Sequence, residues 1–339
     1  MQTFCDSLIG AVWHKNDAER SLSQETLVRK VREGDREWVE EVGKSVYGGE
    51  DYVPRVFDAW IKDDHFWALV DAEDENKVFA IVNVEIVPGK EDTATFGGLR
   101  VHPDHRGKGM GTKVVLGAAK QEIGVKNFIY TTFSPNKPSE RLALKAGFKL
   151  VYNVPYMAQN TAGGTEPDSS HYSTISTESV AEWADRLEEA CNETVTSTEL
   201  REISPAEAVE KLRPLNSSRP HDLIYHHWDF IPLNEECVSK ELRTERVFEG
   251  LGAISFGGSG HRGGARAMYT IHANSGDDQA VIKHAIHCAR LGAEAGAQKV
   301  LLFLARPEGA VTWPEELFGG DRRMIILAAS REELGVDRD

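Results

Sequence analysis

The first 157 positions switch between two hydrophobic rhythms. Thr26–Val31 alternates apolar and polar at each step, the period of a half-buried strand. Trp38, Val39, Val42 and Val46 then recur at helical spacing through Asp35–Val46, and a second short helix is expected over Val53–Ile61. Two strands follow, Phe66–Asp71 and Val78–Val87, separated by the charged turn DAEDEN. Pro88 and Gly89 mark a hairpin turn into a strand at Ala94–Val101. A helix is expected over Gly111–Ile123, a strand over Asn127–Phe133, a helix over Ser139–Lys145 ended by Gly147, and a strand over Phe148–Val154. The order β-α-α-β-β-β-α-β-α-β defines an α/β (α+β) unit with a mostly antiparallel sheet.

Residues 158–178 are poor in apolar positions and rich in Gly, Ser and Thr, which predicts a linker. Residues 1–24 predict a polar arm. Beyond the linker, helical spacing returns over Ser179–Cys191, and Ser204 is placed to cap Pro205–Leu212. Strand-like runs follow at Val247–Ser255 and Ala267–Ala273, then a long helix over Asp277–Ala295 and strands at Lys299–Ala305 and Met324–Ala329. This half repeats the rhythm of the first without any residue-level repeat. The expected domains are therefore 25–157 and 179–339.

Composition narrows the class. No run approaches the roughly 20 consecutive apolar residues of a membrane span, and the N-terminus lacks the pattern of a secretory signal. The four cysteines, Cys5, Cys191, Cys237 and Cys288, are scattered with no CxxC pair. Neither a disulfide framework nor a zinc site is predicted, and a reducing, cytoplasmic location is. A net charge of −15 argues against a nucleic-acid partner, which needs a basic face. It still permits a local anion site built from backbone amides.

Such a site is legible in Gly98-Leu-Arg-Val-His-Pro-Asp-His-Arg-Gly-Lys-Gly-Met-Gly-Thr112. Glycines let a backbone approach phosphate oxygens, and the helix that starts here adds its positive end. The pattern GxxxxGK[ST] is absent, and the glycine spacing is not that of a dinucleotide fold. Arg106, Gly109 and Gly111 occupy the R/Q-x-x-G-x-G/A positions of the pyrophosphate loop in the GNAT superfamily of N-acetyltransferases, which this segment resembles. A second stretch, Asn136 to Phe148, resembles that superfamily's N-x-x-A-x-x-L-Y-x-x-x-G-F segment through Asn136, Leu142, Gly147 and Phe148, with Ser139 as a small-residue variant.

The resemblance implies acetyl-CoA as co-substrate, with no metal. It implies a cofactor-binding set of Leu99, Arg100, Val101, Arg106, Gly107, Lys108, Gly109, Met110, Gly111 and Thr112, joined by Asn136, Ser139 and Lys145. Main-chain groups of Leu99 and Val101 would line the pantetheine notch, and the Val101 N–H would face the oxyanion. The tyrosine that many members use as general acid is replaced by Ala143. Glu85 is the candidate base, because a carboxylate in an apolar strand is costly unless it faces a polar site. Its place near the strand end equally suits an exposed face. His102 and His105 are the alternatives.

Ahead of the sheet, Val46-Tyr-Gly-Gly-Glu-Asp-Tyr-Val-Pro54, followed by Ala59-Trp60, resembles the matching segment of the histidine N-acetyltransferase family, as does Gly97–Val101. That family pairs an N-terminal GNAT domain with a degenerate C-terminal one, so tandem GNAT-like domains are implied. It also implies a free amino acid, L-histidine, as acceptor. The other readings are peptide or protein N-acetylation and a non-catalytic acyl-CoA-sensing module. Tyr47, Asp51 and Tyr52 suit a small zwitterion with an aromatic ring, and Asp51 also suits a helix cap. After Ala273, two carboxylates and no arginine predict that the second half binds no CoA. It is expected to complete the substrate pocket. The run His226–Asp229 fits a packed edge strand. His284 and His287 sit three apart on a helix and read as core or surface histidines.

Overall fold

A computed structural model describes residues 25–46, 49, 51–158, 179–193, 195, 199–215, 223–226, 229–259, 266–273, 278–297, 299–305 and 323–336. The expected arm, nearly all of the expected linker, and Tyr47 lie outside these. Two compact units are present, Met1–Val84 with Phe96–Glu122, and Glu85–Thr95 with Ile123–Asp339. They divide after Val84 and Glu122 rather than at 158–178, and the hairpin tip between them in sequence goes to the second unit.

In the first unit, β1 (Thr26–Lys30) leads to α1 (Arg36–Gly43) and α2 (Val53–Trp60). Three strands follow, β2 (Phe66–Asp71), β3 (Val78–Ile86) and β4 (Thr93–Val101), before α3 (Met110–Gln121). The sheet order is β1-β2-β3-β4. β1 lies antiparallel to β2 with Val28 opposite Leu69, and β2 antiparallel to β3 with Leu69 opposite Ala80. β2 is buried at all six positions, five of them the apolar run Phe66–Val70 and the last Asp71, which pairs with Lys77 at 3.0 Å. One core joins Val39 of α1 and Val53 and Phe57 of α2 to Phe66, Ala68, Val70, Val78 and Ile81 of the sheet. α3 buries Val114, Val115, Ala118 and Ala119. Its Gly117 admits Val28, whose Cγ2 would stand 2.4 Å from any Cβ there.

The second unit holds β5 (Asn127–Phe133), α4 (Lys137–Ala146), β6 (Lys149–Ala158), α5 (Val180–Cys191), β7 (Arg201–Ile203) and α6 (Pro205–Leu215). A separate hairpin of β8 (Leu223–His226) and β9 (Asp229–Pro232) comes next, then α7 (Glu235–Glu241). The chain ends with β10 (Arg246–Gly250), β11 (Ala253–Ser259), β12 (Arg266–Ala273), α8 (Asp278–Glu294), β13 (Lys299–Ala305) and β14 (Arg323–Ser330). The strand order is β5-β14-β6-β13-β12-β11-β10-β7. β12 and β13 run parallel, with α8 as the crossover that parallel neighbours require. β7 with β10, β10 with β11, β11 with β12, β13 with β6, and β14 with both β5 and β6 pair antiparallel. β14 lies between β5 and β6, with Leu327 opposite Tyr130 on one side and Leu150 on the other.

The predicted run Val247–Ser255 is two strands. Leu251 (φ 54°) and Gly252 (φ 83°) form a two-residue loop with Gly250 opposite Ala253, and consecutive positive φ values favour such a hairpin. β7, β8, β9 and α7 are too short for periodicity to register. His226 is buried in β8, which pairs with β9, while His227 and Trp228 lie outside the described residues. His284 is a core histidine: Nδ1 meets Ser255 Oγ at 2.8 Å and Nε2 meets the Gly250 carbonyl at 3.1 Å.

Candidate active site

β4 ends in a tight turn at Pro103–His105 and enters α3 through glycines. The turn is pinned by the His102 N–H, which donates to the Phe79 carbonyl at 2.9 Å. His102 Nδ1 accepts the Asp104 N–H at 3.3 Å. Gly107 (φ 75°) and Gly109 (φ 81°) both take the left-handed conformation that glycine adopts without penalty. Gly109 is the N-cap of α3, and no side chain caps that helix. The N–H of Lys113 reaches the Gly109 carbonyl at 3.0 Å, closing the first helical turn. The amides of Met110, Gly111 and Thr112 therefore have no carbonyl to meet within the helix. A Cβ on Gly107 or Gly109 would find nothing within 4 Å, so the face of the loop is open. Uncapped amides, a helix N-terminus and the exposed Lys108 form a donor set that fits a diphosphate.

The two arginines have other partners. Arg106 Nε donates to the Val101 carbonyl at 3.2 Å, and its Nη2 to Ser45 Oγ at 3.1 Å. Its guanidinium thus braces the strand end against the C-terminal side of α1. Arg100 grips Asp51 in a fork, Nε to Oδ2 at 2.8 Å and Nη2 to Oδ1 at 2.5 Å. The two side chains are 10% and 2% exposed. Arg100 Nη1 also donates to the Leu99 carbonyl at 2.9 Å. The bidentate fork commits the Arg100 side chain to Asp51, so a contact of Arg100 with the cofactor would fall to its main chain. Asp51 Oδ1 further accepts the Val53 N–H at 3.1 Å, at the start of α2. The carboxylate predicted to meet a substrate cation is thus already neutralised in the fold.

Tyr52 stands beside this pair. Its hydroxyl accepts the Gly98 N–H at 3.2 Å, and its ring packs edge-on to Trp60 at 5.9 Å. The Arg100 guanidinium lies 5.4 Å from the Tyr52 ring centroid. Asp51 also borders an open cavity of about 280 Å³ shared with Glu40, Lys44 and Arg55.

The histidine alternatives belong to an aromatic cluster. His105 packs edge-on to Phe79 at 4.7 Å, and His102 lies 5.7 Å from His105 and 6.3 Å from Trp38. Burial lowers the His105 pKa, and the charges of Lys108, His102 and Lys77 push it the same way. His105 is therefore held toward the neutral ring. Glu85 is exposed on β3, which is the exposed-face arrangement its position near the strand end allowed.

In the second unit Asn136 is the N-cap of α4, its Oδ1 accepting the Ser139 N–H at 3.3 Å. Ser139 Oγ pairs with the Tyr130 hydroxyl at 2.8 Å, while Lys145 is exposed and Ala143 fully buried. Gly147 (φ 107°) closes the helix, and a Cβ there would stand 3.0 Å from the Glu333 carbonyl. Among the described residues no group of three metal-ligating side chains occurs. Ser45 and Tyr130 were not legible as site residues. Ser45 carries no motif, and Tyr130 reads as one more residue of an apolar strand.

Open helix-terminal amides behind a left-handed glycine loop at the end of a strand form an anion-binding site of the kind that takes a coenzyme diphosphate. Residues 35–148 match the family model described as the acetyltransferase (GNAT) family. A curated relative, histidine N-acetyltransferase of Oreochromis niloticus, is 34% identical over 91 residues. That match covers 26% of this chain and 26% of the relative, so the chain spans about a quarter of that protein's length. A GCN5-related N-acetyltransferase from Sphaerobacter thermophilus shares the fold with a TM-score of 0.52 and 10% identity, over 90% of this chain and 96% of that one. One from Kribbella flavida aligns with a TM-score of 0.44 and 13% identity, over 91% of this chain and 72% of that one.

Proposed function

We propose that this protein is an acetyl-CoA-dependent N-acetyltransferase acting on the α-amine of a free amino acid, with L-histidine as the favoured acceptor. The observation that carries the reading is the uncapped N-terminus of α3 behind Gly107 and Gly109. Its amides, with Lys108, hold the cofactor diphosphate. Asn136, Ser139 and Lys145 serve the pantetheine arm and its flank. Acetyl-CoA supplies an activated acyl group on a thiol leaving group.

The chain's own contribution is to bind, orient and manage protons. An α-amine has a pKa of about 8 and needs only a modest base. Glu85, solvated on β3, takes that proton directly or through water. The Val101 N–H receives the developing oxyanion, its carbonyl being tied back by Arg106. With Ala143 in place of the helix tyrosine, the departing thiolate is protonated by solvent, which a thiol pKa near about 8.5 permits. Histidine as acceptor is supported by the named partial relative and by the Val46–Pro54 segment.

The second half reads as a degenerate GNAT-like domain. Support comes from the parallel β12-α8-β13 crossover and from the fold shared over 90% of the chain. A cytoplasmic setting is supported by the free thiols of Cys191, Cys237 and Cys288.

The test is a panel of free amino acids and peptides incubated with acetyl-CoA and the purified chain, following thiol release and product mass. N-Acetylhistidine should dominate. Turnover on peptides alone would replace the acceptor, and coenzyme binding without transfer to any amine would replace the enzyme with a sensor.

A further inference from the structure

The connection between α1 and α2 is fastened to the cofactor segment at both of its ends. On the α1 side, Ser45 Oγ accepts from Arg106 Nη2 at 3.1 Å, and the same guanidinium holds the Val101 carbonyl at 3.2 Å. On the α2 side, Asp51 takes the fork of Arg100 at 2.8 and 2.5 Å, and Tyr52 takes the Gly98 N–H at 3.2 Å. Three residues of β4 and its loop, Gly98, Arg100 and Arg106, are thus indexed to three residues flanking one short connection, Tyr52, Asp51 and Ser45. A surface ion pair has no need of a carboxylate that is 2% exposed, nor of a second anchor at the far end.

We propose that Asp51 and Arg100 are a positioning pair for acetyl transfer. They fix the α1–α2 connection, where the acceptor is read to bind, against the backbone of β4, where the thioester is read to lie. Ser45 and Arg106 form the second fastening of the same device. The inference rests on the acetyl-transfer reading above. It gives Asp51 a role in orientation in place of direct substrate contact. Alignment of reacting groups is steep in distance, and a displacement of about 1 Å costs on the order of 100-fold in rate. A bidentate, buried pair resists such displacement where a single exposed contact would not.

The experiment compares Asp51→Asn, Arg100→Lys and Ser45→Ala with the wild type by steady-state kinetics and by calorimetric titration with CoA. Arg100→Lys keeps the charge and loses the fork. Ser45→Ala is an exposed change that leaves the core intact and keeps the test available if Asp51→Asn does not fold. The expected result is a fall in kcat of about 30- to 100-fold in Asp51→Asn and Arg100→Lys, and of roughly threefold to tenfold in Ser45→Ala. The CoA dissociation constant should stay within about threefold of wild type in all three. A kcat per folded molecule within twofold of wild type in all variants would overturn the proposal. So would a loss of CoA affinity in proportion to kcat, which would make the pair a support for the coenzyme loop only. A wild type that transfers acetyl to no amine marks the failure of the functional reading itself, a different result from an active wild type with unaffected variants.

Discussion

Trp60 occupies the place that a side chain on Gly98 would need. A Cβ at Gly98 would stand 2.4 Å from Trp60 Cζ3, and its φ of 59° is left-handed. Gly98→Ala therefore meets both a ring clash and a backbone penalty of about 1–2 kcal/mol. The variant should lose at least about 2 kcal/mol of stability by urea titration. A loss below that would mean that Trp60 moves aside freely.

Gly109→Glu tests the coenzyme loop. A Cβ there meets nothing within 4 Å, so the only structural penalty is that of the left-handed φ. The added carboxylate stands where phosphate oxygens belong and faces uncapped amides that it can satisfy itself. CoA binding by calorimetry should vanish while the circular dichroism spectrum stays that of the wild type. Retained affinity would remove the loop from the coenzyme site.

His284 predicts how stability depends on pH. Burial lowers its pKa from 6.5 to about 4 despite the Gly250 carbonyl that raises it. Between those values the unfolded chain binds a proton that the folded one refuses, so this site stabilises at neutral pH and loses its contribution as pH falls. The full span is worth about 3 kcal/mol. In a pH series of urea titrations, wild type should lose more stability between pH 7 and 4 than His284→Gln does. Equal slopes would show that the ring titrates normally.

Much of this was legible in periodicity and motif, and the parts that were not have physical causes. The strands Phe66–Asp71, Asn127–Phe133 and Lys299–Ala305 appear as predicted, because long apolar runs can be satisfied only by burial. The glycine loop was legible because left-handed residues before a helix leave few choices of sequence. The partner of Arg100 was hidden, since nothing local ties position 100 to position 51. The place of β14 between β5 and β6 was hidden for the same reason: a strand states its own period but not its neighbour.

Cysteine labelling gives a fourth test. Burial pushes the Cys288 thiol up to about 12, with Ser255 opposing, and the side chain is fully buried. Cys191 and Cys237 are half-buried. Aromatic disulfide reagents at pH 8 should modify Cys191 and Cys237 in the native protein and reach Cys288 only in denaturant, as read by peptide mass. Native labelling of Cys288 would show that α8 opens from the sheet.

The strand Arg323–Ser330 carries a consequence for biosynthesis. Its two partners, β5 and β6, leave the ribosome well over a hundred residues before it does. Until then each has an unpaired edge facing the other across an empty slot, and such edges invite pairing with the wrong strand. The growing chain must keep that slot unfilled while everything between is made. A truncation between α8 and β14 would remove a middle strand of the sheet, leaving β5 and β6 without the strand that pairs with both.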